Sequence, residues 1–130
     1  MHRKTSVRNT RTALILLLTL HNAMAIDISA LWKYSKPAES EARFRAALNG
    51  ASPDEAFILQ TQIARTFGLR RQFDTARATL APLEPRLATV SAEAQVRYYL
   101  ELGRTFASAT HPPDNPAASR ETARGHYIRA

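Results

Sequence analysis

The stretch from Phe57 to Pro85, FILQTQIARTFGLRRQFDTARATLAPLEP, constrains the fold more than any other part of the chain. Ile63 and Phe67 lie four residues apart, which puts them on one helical face, and Leu59, four residues before Ile63, joins the edge of that stripe. Gly68 is the expected end of this first helix, because glycine readily adopts the left-handed backbone that follows a helix. A second helix carries Phe73, Ala76, Leu80 and Leu83 at spacings of three and four, with Pro85 expected to close it. Ala64 and Ala76 are small enough to let two antiparallel helices approach, while Phe67, Phe73 and Leu80 fill the space beside them. The spacing predicts a helical hairpin over residues 53–85.

Partial copies of the hairpin recur. Tyr99, Leu102, Gly103 and Phe106 repeat the first-helix pattern, and Ala123, Tyr127 and Ala130 the second, which predicts another hairpin over residues 91–130. Phe67 and Phe106 are 39 residues apart, and the second copy has 8 more residues at its turn than the first. Upstream, Ser40, Phe44, Ala47 and Leu48 have the look of a further second helix. This order of bulky, small and aromatic positions resembles the tetratricopeptide repeat, whose period is about 34. Ile63, Ala64, Phe67, Ala76 and Leu80 match it in order and spacing, and Leu102, Gly103, Phe106, Ala123 and Tyr127 do so again. Gln60 stands where that family prefers tryptophan, Leu83 where it prefers alanine, and Pro85 comes a few residues early. The resemblance covers about residues 31–130. It implies an all-α fold of antiparallel helical hairpins stacked as a short α-solenoid, with the first helices of successive repeats lining a concave groove for an extended peptide or a partner helix.

Residues 1–25 read as a separate object. Arg3, Lys4, Arg8 and Arg11 precede the apolar run ALILLLTL, and Ala23-Met24-Ala25 has the small-x-small form of a leader peptidase site. Basic, apolar, small-x-small in that order is a secretory signal peptide, and the run is about half of what a membrane span needs, which disfavours an uncleaved anchor. Cleavage after Ala25 would leave Ile26 first. No cysteine follows, so a lipid-anchored mature chain is not expected, and the leader lacks an arginine pair. Periplasmic or secreted localisation, with no stable membrane anchor, is the expectation. Residues 26–35 then form an N-terminal cap segment and residues 36–130 the repeat domain.

The leader also corrects the charge. The chain has 18 basic and 11 acidic residues, a net +7; the leader holds four of the basic ones and no acid, leaving 14 against 11, or +3. That mild excess, spread singly over helices, does not point to nucleic acid. With no cysteine, stability must come from helix packing.

Within the cap segment Ile28, Leu31, Trp32 and Tyr34 are expected to cover the open apolar face of the first hairpin, the alternative being an aromatic ligand contact at Trp32. Pro37 opens a helix to Leu48, closed by Asn49-Gly50. Ser52-Pro53-Asp54-Glu55 is a capping box with proline at the first helical position, a better reading of the paired acids than catalysis or metal binding. Ser91 caps the next helix, which runs to about Ala107. Residues 108–115 form an exposed loop, and Asn115-Pro116 begins the last helix.

No catalytic signature emerges. His2, His21, His111 and His126 have no ligand-spaced partners, and neither a phosphate-cradling glycine loop nor a nucleophile elbow is present. Enzyme activity, cofactor and metal are therefore not expected. The resemblance implies a scaffold for protein–protein contact, with Arg65 and Arg104 at equivalent outward positions and Arg97 about two turns before Arg104. Three guanidiniums along one groove suit an acidic protein or peptide partner. Two alternatives stand beside this. The last helix ends with Tyr127 and Ile128 on an apolar face, which suits self-association or docking in an envelope complex, and the array could also regulate an enzyme domain further along a longer chain.

Overall fold

The structure, a computed structural model, describes residues 25–107 and 115–130. The leader, apart from Ala25, and the loop stretch with His111, Pro112, Pro113 and Asp114 lie outside the described residues. Among the described residues the regular elements are all helical: α1 (Ile28–Leu31), α2 (Pro37–Ala47), α3 (Pro53–Leu69), α4 (Phe73–Leu80), a 3₁₀ segment (Ala81–Thr89), α5 (Ala92–Ala107) and α6 (Arg120–Arg129). Each helix packs on the next in sequence, and α3 also packs on α5.

The local signals explain most helix starts. Ser52 Oγ accepts from Glu55 N at 3.2 Å, and Glu55 Oε1 accepts from Ser52 N at 3.1 Å, so both halves of the capping box are made. Pro53 occupies the first turn, where its missing N–H costs nothing. Ser91 Oγ accepts from Ala94 N at 3.1 Å to cap α5. Asp54 reaches across and accepts from Ser91 N at 2.6 Å and from Ser91 Oγ at 2.7 Å, which fastens the start of α5 to the start of α3. Gly50, at φ 78°, turns the chain between α2 and α3.

Three expectations about helix ends are corrected. Gly68 does not terminate α3; the left-handed residue is Arg71, at φ 62°. Arg71 N donates to Gly68 O and Gln72 N to Phe67 O, both at 2.9 Å, the pair of bonds of a Schellman motif. The second helix of the hairpin does not reach Leu83: α4 ends at Leu80 and a 3₁₀ segment carries on to Thr89. Pro82 and Pro85 have no N–H to continue the α ladder, so the chain tightens, yet Leu83 remains buried and Leu87 half-buried against the core. The last helix begins at Arg120, capped by Ser119, whose Oγ accepts from Thr122 N at 3.1 Å, and not at Asn115-Pro116.

Helix α3 is the central element because it is apolar on two faces. Phe57, Ile58 and Ala64 join Leu80, Leu83, Ala94 and Tyr98 in one core. Leu59 and Ile63 join Phe44 of α2 in a second, with Phe67 beside them. Ile26, Ile28, Leu31 and Trp32 pack onto that second core, so the N-terminal segment covers α3 as the sequence led one to expect. Burying each large apolar side chain is worth about 1.5–3 kcal/mol, which identifies α3 as the element whose loss the fold could least survive. On α5, the absent side chain of Gly103 makes room for the ring of Tyr127 from α6.

Asn115, expected in an exposed loop, is buried. Its Nδ2 donates to Thr105 O at 2.6 Å, and its Oδ1 accepts from Arg77 Nη2 at 3.0 Å. Arg77 Nη1 donates to the same Thr105 carbonyl at 2.9 Å, and its guanidinium lies 4.8 Å from the Phe106 ring centroid. This polar knot joins α4, the end of α5 and the approach to α6.

Candidate functional site

A hollow of about 470 Å³ opens between α3 and α5. Its apolar lining includes Ala64, Gly68, Leu69, Phe73 and Ala107. Its charged lining is Arg65, Arg71 and Arg104 against a single carboxylate, Glu101. Two of the lining positions on α3, Ala64 and Gly68, are small.

Arg65 is positioned from two sides. Its guanidinium carbon stands 5.5 Å from the ring centroid of Trp32 and 5.2 Å from that of Tyr34, within cation–π range of both. The two rings are themselves stacked, with centroids 4.5 Å apart and planes 5° from parallel. Trp32 is oriented by its Nε1, which donates to the buried Gln62 Oε1 at 2.9 Å. On the other side Arg65 Nη1 lies 3.8 Å from Glu101 Oε1.

Glu101 is the residue that sequence reasoning missed. It is only 3% exposed, and Arg104 Nη1 donates to its Oε1 at 2.5 Å. Burial pushes its carboxyl above the ordinary carboxylate range, and the nearby Arg104, Arg65 and Arg97 charges pull only partly against that. Both arginines face Glu101 inside the protein, yet both side chains keep a solvent-facing part, 27% for Arg65 and 39% for Arg104. A guanidinium has five N–H donors, so one bond to Glu101 leaves others for a second carboxylate.

The structure thus brings Arg65 and Arg104 together at one hollow. Arg97 is placed elsewhere: its Nε and Nη2 donate to Glu93 Oε1 at 3.2 and 3.1 Å, one turn back on α5, and it does not line the hollow. Trp32 packs on the second core, as the cap reading expected, and presents its ring to Arg65. The paired acids Asp54 and Glu55 are helix-capping and helix-joining groups. His126 stacks on Phe106 with centroids 5.6 Å apart, and burial lowers its pKa. Among the described residues no group of three or more histidines and carboxylates gathers where it could hold a metal ion, and no helix is long and apolar enough to cross a membrane.

No family model, no curated protein and no solved structure matches this chain.

Proposed function

We propose that this chain is an exported, non-catalytic scaffold of the tetratricopeptide-repeat type, which holds an acidic segment of another protein in the hollow between α3 and α5. The observation that carries the reading is the convergence of Arg65 and Arg104, from two different helices, on one opening with an apolar floor. Apolar walls would take the body of a peptide, and charge-assisted bonds to guanidiniums would fix its carboxylates. The packing of α3 on both α4 and α5 supports a repeat-like arrangement, and the basic, apolar, small-x-small leader supports export with cleavage after Ala25.

The test is calorimetric titration with acidic peptides and their lysine-for-acid counterparts. Arg65→Ala with Arg104→Ala weakens the acidic peptide by about 1.5–3 kcal/mol for each lost charged hydrogen bond. Unchanged binding by a double variant that still melts cooperatively refutes the groove.

A second reading is a structural or assembly role through α6, favoured by the exposure of Ile128 at 73% and Tyr127 at 40%. A chain that elutes as a monomer on size exclusion supports the groove, and a dimer supports docking through α6.

A further inference from the structure

We infer that leader removal after Ala25 converts the backbone nitrogen of Ile26 into an α-ammonium group that is held by Glu55, so that processing itself completes the anchoring of the N-terminal segment. This rests on the export reading above. In the uncut chain Ile26 N is a neutral amide donating to Glu55 Oε2 at 3.0 Å. Hydrolysis of the Ala25–Ile26 bond adds one water: Ala25 departs with a carboxylate, and Ile26 keeps the nitrogen, which takes up a proton. The donor stays where it was and gains a full positive charge.

The surroundings fit that charge. Glu55 uses its other oxygen, Oε1, for the Ser52 N–H of the capping box, which leaves Oε2 for Ile26. The Ile26 side chain is half-buried on the Phe44, Leu59 and Ile63 core, so the nitrogen is fixed relative to α3. A hollow of about 200 Å³ at this point is lined by Ala25, Ile26, Ile28, Asp54, Glu55, Ile58 and Glu93. Every charged residue in that lining is a carboxylate. Asp54 is occupied by Ser91, Glu93 by Arg97, and the neighbouring Asp27 accepts from Ala30 N at 3.2 Å. Glu55 is therefore the direct partner, and the other acids add favourable field. The hydrogen bonds from Ser52 N and Ile26 N already hold the Glu55 carboxyl below its ordinary range.

The sign follows from linkage. An ammonium paired in the folded state has a pKa above its unfolded value of about 7.7–8.0. Its contribution is fully present below that unfolded value and is lost as pH rises through the folded one.

The experiment compares chains beginning at Met1 and at Ile26, each with and without Glu55→Gln, by thermal midpoint and by NMR titration of the Ile26 nitrogen. The expected result is a larger midpoint loss in the Ile26 chain, because there Glu55→Gln removes an ion pair in addition to the capping-box bond that both chains share. That excess loss should vanish at alkaline pH, and the α-amine should titrate above about 8. Equal losses in the two chains, with an α-amine titrating at about 7.7–8.0, overturn the inference and leave export untouched. Export is read separately, from the first residue of the protein recovered from the periplasm or medium of an expressing cell. A first residue other than Ile26 there overturns the processing site, and this inference with it.

Discussion

Gly103 faces the ring of Tyr127 so closely that a β-carbon at position 103 would stand 2.6 Å from Tyr127 Cε1 and 2.8 Å from Cδ1. Alanine in mid-helix is ordinarily better than glycine by about 0.5–1 kcal/mol. Here that gain is opposed by the displacement of a ring that docks α6 on α5. Gly103→Ala is expected to be stabilising by up to about 1 kcal/mol in a Tyr127→Ala background and to lose that benefit when Tyr127 is present. A double-mutant cycle in urea measures the difference, and a Gly103→Ala effect independent of residue 127 would show that the contact has no energetic consequence.

Glu101 sets a pH dependence of its own. Its folded-state pKa is raised, chiefly by burial, so the folded chain binds its proton more tightly than the unfolded chain does. Through this group, stability falls as pH rises from the ordinary carboxylate value through the raised one. The stability of Glu101→Gln relative to the parent is therefore expected to be greatest at neutral pH and to fall as pH is lowered toward about 4.3. Taking the difference between the two proteins removes the opposite effects of Glu39 and Glu55, whose carboxyls are held low. Urea midpoints measured from pH 4 to pH 8 decide the matter, and a gap that widens on acidification contradicts the assignment.

Asn115→Ala should cost about 1–3 kcal/mol, because it removes the donor to Thr105 O and the acceptor for Arg77 from a buried position. An exposed-loop asparagine would cost well under about 0.5 kcal/mol. Chemical unfolding followed by circular dichroism separates the two cases.

Trp32→Phe keeps an aromatic ring on the second core but deletes the Nε1 donor to the buried Gln62. The expected loss is about 1–3 kcal/mol, mostly the penalty of an unsatisfied buried amide oxygen. Gln62→Leu in the same chain should restore part of it, since it removes the unpaired oxygen but also the bond from Gln62 Nε2 to Thr61 Oγ1, which keeps its own bond to Ile58 O. A double variant no better than Trp32→Phe alone would place the cost elsewhere.

The sequence was most legible where cause and effect are neighbours. The Ser52–Glu55 box, the Ser91 cap, Pro37 at the start of α2 and the turn at Gly50 each depend on a few consecutive residues, and each forms as read. The apolar stripe likewise predicted a covered face of α3, whereas on α5 Tyr99, Leu102 and Phe106 are only half-buried and the buried row runs through Ala94, Tyr98, Glu101 and Thr105. Helix ends were less legible. Arg71 takes the left-handed position because the Schellman bonds to Phe67 and Gly68 fall there, whereas Gly68, the residue with the lowest intrinsic cost, lies three positions too early. Glu101 and Asn115 were not read as buried. Both are polar residues on stretches that looked solvated, and their burial depends on Arg65 and Arg77 arriving from other helices. A signal did exist for Glu101: it follows Arg97 by four residues and precedes Arg104 by three, so it shares a helical side with both.

The chain contains one tryptophan, and the fold has laid that indole flat on Tyr34 with Arg65 across its face. The protein therefore carries its own optical reporter at the edge of the α3–α5 hollow. A carboxylate that draws Arg65 away from the ring changes the intrinsic emission of the whole molecule without any dye or tag. A partner that settles on Ile128 at the far helix leaves that emission as it was.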